Sequence, residues 1–231
     1  MSENYIDCIQ QTAEWFSARC GKITASNVPL LLERLKTGAK KGERSQKSRD
    51  YIADVVCERL TNDASEHYVS YYMERGSEYE SFARAAYEVA TGTLVEPAGF
   101  FIHPTIPMTG ASPDGLVGDA GLLEIKCPQS SVHLAYLLGG EIPENYEPQI
   151  MWQLACSGRA WCDFVSYHPR MPKHLQLFIR RTERNEERIK VLAGEVLAAL
   201  AEIDATVAEL AQDDSGESKL SRQLKEANHA S

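Results

Sequence analysis

Apolar residues recur at three- and four-residue steps in some stretches of the chain and alternate or run together in others. Thr24-Ala25-Ser26-Asn27 precedes Val28, Leu30, Leu31, Leu32 and Leu35, so hydroxyl and amide groups stand where a helix start needs a cap. Ile52, Val55, Val56 and Leu60 form a helical stripe over Asp50 to Leu60. Glu74 to Ala90 predicts a long helix, polar on one face and Ala-rich on the other, which Gly92 ends. The texture then changes. Thr93 to His103 reads as extended, with Pro97 marking an irregular or edge position. Leu116 to Lys126 reads as two strands joined by a short turn containing Gly118 and Gly121. Gln149 to Ser157 is helical and apolar, and Cys162–Tyr167 and Leu175–Ile179 predict two more strands. Ile189, Leu192, Val196, Leu200, Ile203, Val207 and Leu210 line one side of a long amphipathic helix over Glu183 to Leu210. Asp213-Asp214-Ser215-Gly216 breaks that pattern. Helices, then a hairpin-rich sheet, then helices predict one mixed α/β domain over residues 1–212, followed by a polar tail over 213–231.

Composition narrows the class. The chain has 231 residues, 43% hydrophobic and 25% charged, which fits a globular protein and excludes disordered, collagen-like and disulfide-scaffold chains. No apolar run reaches the roughly 20 residues that cross a bilayer. The N-terminus lacks the basic cluster and apolar core of a secretory or mitochondrial address, so a cytoplasmic setting without a membrane partner is expected. Cys8, Cys20, Cys57, Cys127, Cys156 and Cys162 show no zinc or iron–sulfur spacing and read as reduced, partly buried thiols. His103 and His168 have no partner spacing that would support a zinc site and read as structural. The net charge of −9 argues against a uniformly basic coat for nucleic acid, though not against a local basic channel. Residues 183–231 hold 11 acids and 6 basic residues, more than half of the negative excess. Between Arg34 and Arg49 seven cations alternate with Gly38, Gly42 and Ser45, which predicts a flexible basic loop. It is either simply solvated or a mobile arm that contacts phosphates.

The sharpest chemical signal is Gly110-Ala111-Ser112-Pro113-Asp114-Gly115-Leu116 followed by Glu124-Ile125-Lys126. Asp114 enters one strand of the expected hairpin, while Glu124 and Lys126 lie two apart on the returning strand and share a face. The turn can bring Asp114 opposite Glu124, so that two carboxylates and an ammonium converge at a sheet edge. Carboxylate oxygens are the ligands Mg²⁺ and Mn²⁺ prefer. A lysine beside them can orient or deprotonate a water and stabilise a developing oxyanion. A Pro-Asp-Gly alone is most often a turn and a Glu-x-Lys a solvated face. Here Leu122, Leu123, Ile125 and Cys127 predict a largely buried strand, in which two charges need a partner or a metal.

Ser112-Pro113-Asp114, nine intervening residues, then Glu124-Ile125-Lys126 resembles the motif of PD-(D/E)xK nucleases. The surrounding blocks run in order: Trp15-x3-Arg19-x-Gly21-x-Ile23-Thr24-Ala25-Ser26, Gly76-x2-Tyr79-Glu80, the Asp114 and Glu124 blocks with Cys127-Pro128, Tyr146-x2-Gln149, and Tyr167-x-Pro169-Arg170-Met171. Together they resemble the lambda-exonuclease (YqaJ-type) family. The resemblance implies a restriction-endonuclease-like core: a mixed central β-sheet flanked by helices, with a long C-terminal helix. It implies a 5′→3′ exonuclease on double-stranded DNA ends that leaves 5′-mononucleotides and a 3′ single-stranded overhang. Two Mg²⁺ ions, or Mn²⁺ in their place, would be held by Asp114, Glu124 and the Ile125 carbonyl. Lys126 would work on the attacking water, and Glu80 would support the site from a helix. By the same resemblance Arg19 and Ser26 grip a terminal 5′-phosphate and Gln149 lies beside them. Of Gln149 and Gln153, the spacing to the Tyr167 block favours Gln149 as the one facing the site. Met73 matches a position that can carry an apolar wedge for the duplex end. A homotrimer, a single-strand annealing protein as partner, and a bacterial or phage-infected cytoplasm are also implied. The rival readings are a same-fold endonuclease or repair nuclease, and a catalytically silent DNA-binding subunit.

Overall fold

The computed structural model describes residues 4–64 and 71–211, with side chains in the fourth helix described from Tyr79 onward. The chain opens with β1 (Tyr5–Ile6), α1 (Ala13–Arg19), β2 (Ile23–Thr24), a 3₁₀ turn (Ala25–Asn27) and α2 (Val28–Leu32). It continues with α3 (Gln46–Thr61), α4 (Tyr71–Thr91), β3 (Val95–Glu96), β4 (Phe100–Ile102), β5 (Thr109–Ala111), β6 (Gly115–Val117) and β7 (Gly121–Lys126). It closes with α5 (Ser130–Gly139), α6 (Glu147–Ser157), β8 (Trp161–Tyr167), β9 (Leu177–Glu183) and α7 (Glu186–Ala211). The mixed α/β class with flanking helices and a long C-terminal helix is as the sequence predicts. The strands fall into two mixed sheets rather than one, in the orders β1-β4-β5-β2 and β3-β6-β7-β8-β9. Most pairs are antiparallel; β2–β5 and β7–β8 are parallel.

The central strand β7 is buried on both faces, as expected for a parallel partner covered by helices. Leu122 joins the larger core, with Trp152, Leu154, Leu192, Val196 and Ile203. Leu123 and Ile125 join a second cluster with Ala83, Tyr87 and Val165, under α4. Alternation therefore assigns Glu124 and Lys126 to the face shared with Leu122, the α6 side. Among the described residues no helix is long and apolar enough to cross a membrane.

Three local expectations change. The Thr24–Asn27 segment forms a 3₁₀ turn before a five-residue helix, and neither Thr24 nor Asn27 caps it through a side chain. Thr24 Oγ1 instead accepts from Asn27 Nδ2 at 3.2 Å. The last helix starts at Glu186, not Glu183, because β9 runs on along β8 to pair Glu183 with Trp161. The basic stretch is folded rather than a flexible loop. Its last residues form the first turn of α3, capped by Ser45 Oγ on the Ser48 N–H. Arg34 and Arg44 pair as an antiparallel bridge. Arg34 reaches Glu195 at 2.5 Å and Arg44 reaches Glu202 at 3.2 Å, both acids of α7. The tail 213–231 and the Met73 side chain lie outside the described residues.

Candidate active site

The β6–β7 hairpin sets the site. Its register pairs Gly115 with Leu123, so Asp114 stands one step further out, opposite Glu124. Two hydrogen bonds hook Asp114 onto β7: its N–H donates to Leu123 O at 3.0 Å, and Oδ2 accepts from the Ile125 N–H at 2.6 Å. Gly115 is required here. A Cβ on it would lie 2.3 Å from Val95 Cγ1 and 3.3 Å from Arg84 Nη1. Without that side chain, Arg84 approaches from α4 and donates Nη2 to Asp114 O at 2.6 Å. The same guanidinium reaches Glu80 Oε1 at 3.3 Å, one turn earlier on the helix.

Glu124 is 1% exposed and is held on both oxygens. Oε1 is ion-paired with Lys126 and accepts from Gln149 Nε2 at 2.6 Å. Oε2 accepts from Gln153 Nε2 at 2.6 Å. The two amides are four apart on α6 and project together. Lys126 Nζ lies 5.2 Å over the Tyr146 ring. Burial alone would lower the Lys126 pKa, but the Glu124 and Asp114 carboxylates outweigh it and raise it. The side chain therefore remains an ammonium at neutral pH. Asp114 is pushed well above the usual carboxylate range by burial and by Glu124, against the pull of Lys126. Burial also raises Glu80, with Arg84 opposing. Carboxyls crowded until they resist ionisation are the electrostatic setting a divalent cation relieves.

The donor set fits such a cation. Two carboxylates on facing strands and the neighbouring backbone are hard oxygen donors of the kind Mg²⁺ and Mn²⁺ take. In addition, Gln153 Oε1 is buried with no hydrogen-bond donor among the described residues. No group of three or more His, Cys, Asp or Glu side chains is gathered as a chelate among the described residues. The expected ligands need no such group, because one of the three is a main-chain carbonyl.

Arg19 lies apart from these groups, at the end of α1. Its guanidinium sits 4.1 Å over the Trp15 ring, and Trp15 Nε1 donates to Ser112 Oγ at 2.8 Å. Through Trp15 it is joined to the turn that carries Asp114. Burial lowers its pKa to about 10, with Tyr51 and Glu58 opposing, so it stays charged. It lines a cavity of about 340 Å³ with Lys22, Thr24, Asn27, Lys47 and Tyr51. Tyr51 Oη accepts the Thr24 N–H at 3.1 Å and anchors that wall. Ser26 is exposed and is not in the lining; its hydroxyl lies 3.4 Å from Thr24 Oγ1.

The structure thus brings together Asp114, Glu124, Ile125, Lys126, Gln149 and Glu80, and leaves Arg19 and Ser26 in a neighbouring region. Gln149 and Gln153 both meet Glu124, where the spacing favours Gln149 alone. Arg84 and Ser112 were not singled out as site residues, and Trp15 entered only as part of a motif. Arg84 was visible as a cation four residues after Glu80, a standard helix pairing. His133 is spent on Ser166 and the Leu175 carbonyl, and His103 stacks on Trp152.

Comparison with known proteins agrees with the fold. Residues 14–160 match the model of the YqaJ-like viral recombinase domain. An alkaline exonuclease from Laribacter hongkongensis is 42% identical, with a TM-score of 0.79 over 87% of this chain and 97% of its own. The same enzyme in complex with dAMP matches equally. A phage-related exonuclease from Haemophilus somnus 129PT shares the fold at 13% identity, with a TM-score of 0.62 over 82% of this chain and 96% of its own. No curated protein matches the sequence. By its matched domain and its 42% identity over most of its length, the chain belongs to the YqaJ-like viral recombinase family, the family of lambda exonuclease.

Proposed function

We propose that this protein is a divalent-metal-dependent DNA exonuclease. It degrades linear duplex 5′→3′ to 5′-mononucleotides and leaves a 3′ single-stranded overhang for annealing. The observation that carries the reading is the convergence of Asp114, Glu124 and Lys126 on one hairpin, with the Asp114 carboxyl raised by burial and by its neighbour Glu124. The similarity to an alkaline exonuclease, also crystallised with a mononucleotide, supports the reaction class.

Asp114, Glu124 and the Ile125 carbonyl would hold two Mg²⁺ ions, or Mn²⁺ in their place. When bound, the ions polarise the scissile phosphate and lower the pKa of the attacking water. Lys126 keeps its proton on Nζ, orients that water and offsets charge building on the phosphate oxygens. Arg84 holds the Asp114 carbonyl and Glu80 together, so the helix-borne acid stays behind the metal ligands. Gln149 keeps the Glu124 carboxylate aimed. Arg19 offers a two-pronged grip to a terminal 5′-phosphate, with the exposed Ser26 hydroxyl as a further contact. Met73 would serve as the duplex wedge. A homotrimer around the DNA, a single-strand annealing partner and a cytoplasmic setting complete the reading, with residues 1–212 as the nuclease domain.

The test is digestion of linear duplex with 5′-phosphate or 5′-hydroxyl ends, with and without Mg²⁺, beside a covalently closed circle. The reading expects mononucleotides only from linear DNA with Mg²⁺, faster from phosphorylated ends. Cleavage of the circle would instead establish an endonuclease.

A further inference from the structure

Every residue of α6 from Pro148 to Cys156 is buried, so an aliphatic side chain is the ordinary choice at position 153. The chain carries a glutamine there, 1% exposed. A carboxylate only accepts, so the contact with Glu124 Oε2 at 2.6 Å fixes Nε2 on that side and turns Oε1 away. Oε1 then has no donor among the described residues. Two other buried polar side chains on this side of the sheet, Thr109 and His133, are served. Thr109 Oγ1 donates to Ile23 O and accepts from Trp152, and both His133 nitrogens are engaged. Half of this amide is therefore used to clamp Glu124, and half is left as an acceptor at a cost in stability.

We infer that Gln153 is a positioning residue of the metal site, an inference that rests on the metal-dependent reading above. Its amide N–H fixes Glu124 Oε2, while Gln149 and Lys126 fix Oε1, so the carboxylate is oriented before an ion arrives. Groups one step behind a metal's ligands set their orientation, and losing one typically weakens binding about 10–100-fold. Gln149 alone leaves Oε2 free to swing; Gln153 removes that freedom.

The experiment is calorimetric titration of Mn²⁺ and of Mg²⁺ into the full chain without DNA, alongside thermal melting in EDTA. It compares wild type with Gln153→Met, which keeps length and apolar volume but has no donor, and with Gln153→Ala in case the larger substitution does not fold. We expect affinity to fall about tenfold, whatever the melting temperature in EDTA does. A purely structural glutamine would shift melting and leave affinity unmoved. A loss of less than about fivefold in the folded variant would overturn the inference and leave the metal-site reading standing. Failure of the wild type to bind either ion would overturn the metal-site reading itself.

Discussion

Two buried acids sit on adjacent strands and behave in opposite ways. Asp163 on β8 is fully answered: Arg181 approaches with Nε and Nη2, each at 2.8 Å, and Tyr87 donates at 2.7 Å. Arg181 in turn lies 3.4 Å over the Trp161 ring. Glu124 on β7 shares one ammonium with Asp114, and a third acid, Glu80, lies close enough to raise Asp114 further. The first cluster is balanced and holds α4 to the sheet. The second gathers three acids, Asp114, Glu124 and Glu80, against two cations, Lys126 and Arg84. Burial alone does not distinguish a structural acid from a reactive one; the charge left over after local pairing does. The half-buried pairs of Arg34 and Arg44 with α7 fall on the structural side.

The comparison can be broken by exchanging roles. Lys126→Ala should lower nucleotide release by about 10²–10⁴-fold, measured at saturating Mg²⁺. A rate within threefold of wild type would remove the ammonium from the mechanism. Arg19→Ala should cost about 10–100-fold on 5′-phosphorylated ends, the value of a charged hydrogen bond or two, and much less on 5′-hydroxyl ends. An equal loss on both would make Arg19 a scaffold residue. At Asp163 the order reverses. Tyr87→Phe should cost about 1 kcal/mol of stability by denaturant unfolding, because Asp163 keeps its arginine, and should leave the rate almost unchanged. Arg34→Ala should cost no more than about 1 kcal/mol and leave DNA digestion intact; a large loss of digestion would restore the basic segment as a phosphate arm.

The hairpin chemistry was legible because it is local. A turn, a ten-residue spacing and strand alternation suffice to face Asp114 with Glu124. The fate of the basic segment was not legible, because its partners Glu195 and Glu202 lie about 160 residues away. The start of α7 was misplaced for a similar reason: acids at Glu183, Glu186 and Glu187 all suit a helix N-terminus, and only pairing with β8 claims the first for a strand. Helix α5 went unread, and its short Ser130–Gly139 span with a mostly apolar second half gives periodicity little to work on. The pair Gln149 and Gln153 shows the limit from the other side. Spacing placed both on one face, but the number of free oxygens on Glu124 decided that both are used.

The acids also make a pH prediction. A carboxyl whose folded pKa lies above its unfolded value binds more protons when folded, so stability falls as pH rises between the two values. Asp114 is raised in this way. In EDTA, the stability Asp114 contributes through its raised pKa should therefore be lost as pH climbs above about 4, read as the pH dependence of the difference in melting temperature between wild type and Asp114→Asn.

The most direct test pairs that substitution with the reaction. Wild type and Asp114→Asn are given 5′-phosphorylated linear duplex, with Mg²⁺ or EDTA, and acid-soluble nucleotide is counted while folding is checked by melting. The account predicts release only by wild type with Mg²⁺, and a melting temperature for Asp114→Asn no lower than that of wild type. Release by folded Asp114→Asn at the wild-type rate, or by wild type in EDTA, would contradict it.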